Sequence, residues 1–114
     1  MADYSLYKLS DKRKIEGKEE GDATFTNNVA DVTSALFDLL ISKHRDYGPK
    51  NISQSPGGPL NGLRVRMWDK LARINNLIES GATPEHESLA DSFKDMANYS
   101  IIALLVLEEK WPQE

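Results

Sequence analysis

The sequence contains no cysteine, and this absence excludes several classes of function. Without thiols there is no disulfide framework, no thiolate nucleophile, and no cysteine-ligated zinc or iron–sulfur centre. Long apolar runs are also missing: the longest, residues 101–107, is about a third of the roughly 20 residues that a membrane helix requires. Residues 1–20 are dense in charge and hold no apolar stretch typical of a signal peptide. We therefore expect a cytoplasmic protein without a membrane partner.

Positive charge is in short supply, with 14 Lys and Arg against 18 Asp and Glu, a net charge of −4 over 114 residues. This balance disfavours duplex DNA as a partner, because the binding of DNA depends on a one-sided basic surface. The length fits one domain. The charges are unevenly placed: residues 43–73 carry seven basic and two acidic residues, whereas residues 74–114 carry two basic and eight acidic residues. Either the two segments simply attract each other, or carboxylates hold a divalent metal while the cations hold its phosphates.

Apolar residues recur every three or four positions in three segments, which predicts an all-α domain with three main helices over residues 27–111. The first helix is predicted from residue 27 or 28 to about 46, before Gly48 and Pro49 stop it. The second follows from residue 60 and ends at Gly81, a typical C-cap residue. The third is predicted from Pro84, with Thr83 as its N-cap, to about residue 110.

Two segments lie outside these predicted helices. Residues 1–26 are predicted to form an extended N-terminal arm with room for a short strand. Residues 48–59 are predicted to form a loop, because the stretch PKNISQSPGGP holds three prolines and two glycines. Loops of this length in small domains are often functional.

The third helix is unusually apolar. One stripe of it is predicted from residues spaced three or four apart: Leu89, Phe93, Met96, Ser100, Leu104 and Leu107. Beyond Tyr99 the sequence SIIALLVL is apolar on nearly every side, and a helix of this kind must be enclosed. We therefore expect a homo-oligomer, most simply a dimer that completes a helical bundle across a two-fold axis.

Four carboxylates are candidate metal ligands. Glu87, Asp91 and Asp95 recur every four residues and so share one face of the predicted third helix, and Asp69 on the second helix is the fourth. Like charges at this spacing repel by roughly a few tenths of a kcal/mol per pair, so something should compensate them. Magnesium, which takes oxygen ligands, is one candidate, and basic side chains of a neighbouring helix are the other. A solvated acidic face is the structural alternative.

Six further residues are candidate contacts for a nucleotide and its phosphates: Lys43, Tyr47, Arg66, Lys70, Arg73 and Asn98. Arg66, Lys70 and Arg73 share one face of the second helix, where they either receive phosphate oxygens or form ion pairs within the helix. Lys43 and Tyr47 lie at the end of the first helix, in the segment KHRDYG, where a cation also suits the helix dipole. The ring of Tyr47 either stacks on a base or covers the core. Asn98 follows the acidic stripe after three residues.

Three blocks of sequence, HRDYG, RMWDKLARINNL and ESLADSFKDMANYSIIALLVLE, carry a resemblance to a known family. In this order they resemble a small family of phage-borne, nucleotide-modification-associated proteins that is often called MazG-like. The similarity covers residues 30–109, about 80 of the 114 residues. It implies an all-α fold related to the nucleoside triphosphate pyrophosphohydrolases, which are obligate oligomers that use magnesium to cleave a nucleotide between its α and β phosphates. It also implies a bacteriophage protein in the cytoplasm of the host cell.

The sequence departs from the MazG pattern in its acidic residues. That pattern has a Glu-Glu-x-x-Glu block on an earlier helix and a Glu-x-x-Asp block on a later one. Here the first helix offers only Asp31 and Asp38, and the later block runs from Asp91 to Asp95 with Ser92 in place of the expected Glu. Asp69 is a candidate for part of the missing first block.

Two function hypotheses follow, and the missing first motif leaves open whether the protein is an enzyme. In the first, the protein is a magnesium-dependent pyrophosphohydrolase of ribo- or deoxyribonucleoside triphosphates: the four carboxylates hold the metal, and the basic residues neutralise phosphate charge. In the second, it is a non-catalytic binder that sequesters a nucleotide-derived signal, such as a cyclic dinucleotide used in host immunity, in an anti-defence role. A purely structural oligomer is the third interpretation.

Overall fold

The computed structural model describes residues 23–114, which are built from helices and contain no strand. Helix α1 spans Ala23–Tyr47, the short α2 spans Lys50–Ser53, α3 spans Pro59–Ser80, and α4 spans Leu89–Leu107. The predicted all-α fold with three main helices is therefore confirmed. None of these helices combines the length and the apolar composition that a membrane crossing requires within the described range.

Helix α1 begins at Ala23, earlier than the residue 27 or 28 predicted from the apolar spacing. The last residues of the predicted arm are thus helical. Residues 1–22, on which the rest of the arm and its short strand were predicted, lie outside the described residues. At its other end α1 stops at Tyr47, where Gly48 adopts a positive φ of 68° and Pro49 follows, as the sequence predicted.

The predicted loop of residues 48–59 contains one turn of helix, α2, which the sequence analysis missed. Two backbone hydrogen bonds close this turn, from Ser53 N to Pro49 O at 3.0 Å and from Gln54 N to Lys50 O at 2.9 Å. They place Ile52 in the core at 2% exposure, so the segment is anchored by its single large apolar residue. Close packing of α3 beneath it requires a glycine, because a Cβ atom at Gly62 would collide with Ser55 Oγ.

Helix α3 begins with Pro59 at its first position and ends at Gly81, whose φ of 67° is the left-handed C-cap conformation predicted for it. Helix α4 starts at Leu89, so the prediction of a start at Pro84 with Thr83 as the N-cap was wrong. Ser88 is the N-cap instead: its hydroxyl accepts from Asp91 N at 3.0 Å, while the Asp91 carboxylate accepts from Ser88 N at 3.2 Å. This reciprocal capping box satisfies two backbone donors, and it sets the start of the helix at Leu89 rather than at Pro84.

Most contacts between helices are made by α3 and α4, which run antiparallel. Their antiparallel course follows from the pairing of Lys70 with Glu87 at one end and the clustering of Leu63 with Ile102 and Val106 at the other. Helix α2 adds Ile52 to this core, while α1 lies across α4 and has no fully buried residue.

Helix α4 turns its polar residues inward. Its buried residues are Ser92, Asp95, Asn98, Ile102 and Val106. The apolar stripe predicted from the sequence lies on another side of the helix, and its members Phe93 and Leu104 are exposed within residues 23–114. The stripe exists as a helix face, but it is not the face that packs inside the chain.

We predict that Ser88→Ala lowers the free energy of unfolding by about 1 kcal/mol, because it removes the hydroxyl that caps α4. Chemical denaturation followed by far-UV circular dichroism measures this change. Ser42→Ala is the matched control, since Ser42 is exposed within α1 and is not a cap residue, so that alanine is the better helix former there. Equal stability of Ser88→Ala and the wild type would show that the capping box does not hold the start of α4.

Candidate functional site

A cavity of about 210 Å³ lies where the end of α1 meets α2, the middle of α3 and the buried side of α4. Its polar lining residues are Lys43, His44, Tyr47, Asn51, Arg66, Asp95 and Asn98. Apolar and aromatic residues complete the wall: Leu40, Ile52, Tyr99, Ile102 and Trp111. The combination of a few converging polar groups with an apolar wall is typical of small-molecule sites.

The central group of the site is the buried carboxylate of Asp95. Lys43 of α1 donates to its Oδ1 at 2.7 Å, and Lys70 of α3 lies 3.0 Å from its Oδ2. Each oxygen of this one carboxylate is therefore engaged by a different lysine, brought in by a different helix. The Lys43 side chain is 46% exposed and also lines the cavity.

A second carboxylate, Glu87, extends the network along α3. Lys70 also donates to Glu87 Oε1 at 3.0 Å, and the hydroxyl of Ser92 donates to Glu87 Oε2 at 2.8 Å. Arg73 donates to Ser92 Oγ at 2.7 Å, to Ser88 O at 3.2 Å and to the backbone oxygen of Glu87. Arg73 thus fixes the segment that precedes α4, and it holds Glu87 outside that helix.

Cations outnumber carboxylates in this region. Asp95 and Glu87 are two acids, whereas the cations that contact them or line the cavity beside them are four: Lys43, Arg66, Lys70 and Arg73. The difference between four and two leaves a local charge of +2 in a chain whose net charge is −4. A partly enclosed site of this sign favours an anionic ligand.

The directions of the pKa shifts keep the carboxylates and the lysines of the site charged at neutral pH. Burial acts to raise the pKa of Asp95, but the hydrogen bonds and charges of Lys43 and Lys70 outweigh it and lower the pKa below 3.8. Burial acts to lower the pKa of both lysines, yet their bonds to Asp95 raise it above 10.5. For Glu87, burial is outweighed by the bonds from Ser92 and Lys70, so its pKa lies below 4.5.

The aromatic side of the cavity is built from residues distant in sequence. Trp111, beyond the end of α4, donates its indole N–H to Pro49 O at 3.1 Å. Its ring meets His44 edge-on with centroids 5.2 Å apart. Tyr47 lies at the mouth and is 68% exposed, so it is free to stack on an arriving planar group.

Asn98 is the one buried amide of the site. Its Nδ2 donates to Leu36 O at 3.2 Å and thereby attaches α4 to α1. Its Oδ1 is buried and accepts no hydrogen bond from residues 23–114. A buried acceptor without a donor costs about 1–3 kcal/mol.

The structure brings together eight of the ten residues predicted from the sequence. Lys43, Tyr47, Arg66, Asp95 and Asn98 line the cavity, and Lys70, Arg73 and Glu87 form the adjoining network. Two acids lie elsewhere. Asp69 is exposed on α3 and forms no ion pair within residues 23–114, and Asp91 is exposed and caps α4.

The four acids predicted to hold magnesium therefore do not form one cluster. Within residues 23–114 no three carboxylate or histidine side chains are grouped closely enough to hold a metal ion. Both oxygens of Asp95 are engaged by lysines, and Glu87 is engaged by Lys70 and Ser92. The acidic stripe left two ways to compensate its charge: magnesium, or basic side chains of a neighbouring helix. The contacts of Asp95 and Glu87 fit the basic side chains.

Sequence reasoning missed several residues of the site. Trp111 gave no periodic signal, because it follows the last helix. Asn51 was assigned to a loop, although its backbone oxygen accepts from Arg66 Nη2 at 2.9 Å. Ser92 was noted only as a departure from an acidic pattern, yet it is fully buried between Arg73 and Glu87. The available signal was its spacing of three from Asp95, which places both residues on one helix face.

These observations define an all-α protein with a cationic, partly aromatic cavity. A family model described as Nucleotide modification associated domain 1 matches residues 43–107, which is more than half of the chain. The chain therefore belongs to this family, which confirms the nucleotide-modification part of the resemblance; the MazG-like relationship stays a prediction. The matched segment includes all ten predicted site residues. No curated protein and no solved structure matches the chain significantly.

We predict that Asp95→Asn flattens the acid dependence of stability. Because the pKa of Asp95 is lowered in the folded state, its contribution is present above 3.8 and is lost as the pH falls through the folded value. The wild type should exceed the variant in stability at neutral pH, and the gap should shrink below about pH 3.8.

Denaturant unfolding across a pH series measures this gap. Asp38→Asn is the control, since Asp38 is exposed on α1 and forms no ion pair within the described residues. A gap that stayed constant from neutral pH to below 3.8 would show that the Asp95 carboxylate is not held by its lysines.

Proposed function

We propose that this protein binds a nucleotide, or a molecule derived from one, in the cavity beside Asp95. The observation that carries the proposal is the meeting of Lys43 and Arg66 with the aromatic wall of Tyr47 and Trp111 in one cavity. Cationic groups suit phosphate oxygens, and aromatic rings suit the faces of bases. Membership of a nucleotide-modification-associated family supports the same ligand class.

The cavity is too small for a whole nucleoside triphosphate. Its volume of about 210 Å³ lies below the roughly 300–1,000 Å³ typical of sites that enclose a complete ligand. We therefore assign the enclosed part to the base and its sugar, near Asn98 and Trp111. The phosphates then extend past the partly exposed side chain of Lys43, where partial solvation tolerates their variable number.

We further propose that binding, rather than hydrolysis, is the activity of this site. Magnesium chemistry requires carboxylate oxygens free to coordinate the ion. In this site Asp95 and Glu87 are neutralised by lysine and arginine, and Asp91 is committed to a helix cap. Sequestration of a nucleotide-derived signal fits this arrangement. The magnesium-dependent pyrophosphohydrolase remains the competing hypothesis.

We predict that calorimetric titration with a nucleotide panel finds a ligand without added magnesium. The panel comprises ribo- and deoxyribonucleoside mono- and triphosphates and cyclic dinucleotides. Arg66→Ala should weaken the best ligand by tenfold or more, since a hydrogen bond to a charged group contributes about 1.5–3 kcal/mol.

Arg64→Ala is the matched control for this titration. Arg64 lies two residues away on the same helix and is exposed, but it lines a different groove. Its replacement should leave affinity unchanged. Equal weakening by both variants would show that only the loss of one positive charge matters, and not a contact of Arg66 with the ligand. The absence of any nucleotide ligand would refute the proposal.

A turnover experiment separates binding from hydrolysis. We predict that each bound nucleotide is recovered unchanged after incubation with excess protein and magnesium, as judged by ion-exchange chromatography of the denatured mixture. Release of pyrophosphate that disappears in Asp95→Asn would instead establish the magnesium-dependent pyrophosphohydrolase.

A further inference from the structure

Arg66 differs from the other three cations of the site in its ion pairs. Each of the others lies within ion-pair distance of Asp95 or Glu87. Arg66 lines the cavity, yet it forms no ion pair in the part of the chain that the structure describes. An anionic group of a ligand can therefore meet Arg66 without displacing a carboxylate, whereas at Lys43 it has to compete with Asp95.

The guanidinium of Arg66 is held by the backbone of α2. Its Nη2 donates to Asn51 O at 2.9 Å, and this carbonyl belongs to the turn that Ile52 anchors in the core. A carbonyl is neutral, so the hydrogen bond orients the planar group and leaves its charge intact. Nε and Nη1 donate to no acceptor within residues 23–114. Neighbouring donors in one plane suit two oxygens of a phosphate group.

Gly62 lies one turn before Arg66 on α3. Side chains of a helix lean toward its N-terminus, so the far end of Arg66 passes over this position. A Cβ atom at Gly62 would lie 3.0 Å from Arg66 Nη1, closer than ordinary van der Waals contact, and 2.7 Å from the Cβ atom of Ser55. Glycine is a poor helix former, so a glycine inside a helix needs a steric reason of this kind.

We propose that Gly62 is a positioning residue for phosphate binding, because its missing side chain lets the Arg66 guanidinium lie against α3 while it is bonded to Asn51 O. The inference rests on the proposed function, since it requires a ligand that carries phosphate. Arg66 contacts the phosphate group, and Gly62 acts only through Arg66. A methyl group at position 62 keeps the cation but displaces its Nη1.

Calorimetric titration with the best nucleotide of the panel tests this role. Gly62→Ala alone also collides with Ser55, so it is made in a Ser55→Gly background, where the side chain that it would strike is absent. Ser55→Gly by itself is the matched control and should bind like the wild type. Addition of Gly62→Ala should weaken binding by about fivefold, since a charged hydrogen bond loses strength when its geometry is displaced.

A double-mutant cycle separates positioning from a general loss of structure. With Arg66→Ala in the same Ser55→Gly background, Gly62→Ala should change the affinity by no more than about twofold, because the residue through which it acts is gone. An equal loss of affinity with and without Arg66, or no loss in either case, would overturn the positioning role and leave the proposed function standing. A wild type that binds no nucleotide would overturn both.

Arg66→Lys tests the same point without a change at Gly62, and so does not depend on the folding of the alanine variant. It keeps the positive charge but loses the planar group that Asn51 O orients. We expect it to weaken binding about as much as Arg66→Ala does. Wild-type affinity in Arg66→Lys would show that the orientation of the guanidinium is irrelevant, and would also overturn the positioning role.

Discussion

The carboxylate of Asp95 ties three helices to one point. Lys43 reaches it from α1 and Lys70 from α3, while the carboxylate itself projects from the buried side of α4. Helix α1 has no fully buried residue, so its position depends on a few specific contacts of this kind and on the bond from Asn98 to Leu36 O. The same lysine that helps to hold α1 also faces the cavity. A phosphate bound as proposed would compete with Asp95 for Lys43 and would thereby couple ligand binding to the position of α1.

The polar residues on the buried face of α4 belong both to the core and to the candidate site. Ser92, Asp95 and Asn98 occupy positions that a purely structural helix would fill with apolar side chains. Ser92 and Asp95 are compensated by Arg73 and by the two lysines, and Asn98 Nδ2 donates to the backbone of α1. Such partners reduce the cost of burying polar groups. Asp95 and Asn98 also line the cavity.

Local signals in the sequence predicted the helices well, because periodicity and stop residues act over a few positions. Gly81 ended α3 as expected, and Gly48 with Pro49 ended α1. The start of α4 was misjudged because two valid signals competed, and only the contacts of Ser88 decide between them. The partners of Asp95 could not be predicted from its neighbours. One of them is Lys43, 52 residues earlier, and a spacing of four on a helix gives no information about such a partner.

The residues of the candidate site were predicted, and its chemistry was left open between two alternatives. Carboxylates at a spacing of four repel, which called for compensation by a metal or by basic side chains of a neighbouring helix. In the folded chain Glu87 precedes the helix and Asp91 caps it, so the stripe does not exist as a single face. Basic residues on α3 provide the neutralising charge for Glu87. The antiparallel packing of α3 and α4 decides which acids and which cations meet.

The two tryptophans of the chain stand at its two unlike surfaces. Trp111 contacts His44 in the wall of the cavity, whereas Trp68 protrudes from α3 at 63% exposure. Indole emission depends on local polarity, so each ring is an intrinsic optical reporter of its own surroundings. With one of them replaced by phenylalanine, the remaining fluorescence reports on a single surface of the chain, without any attached dye.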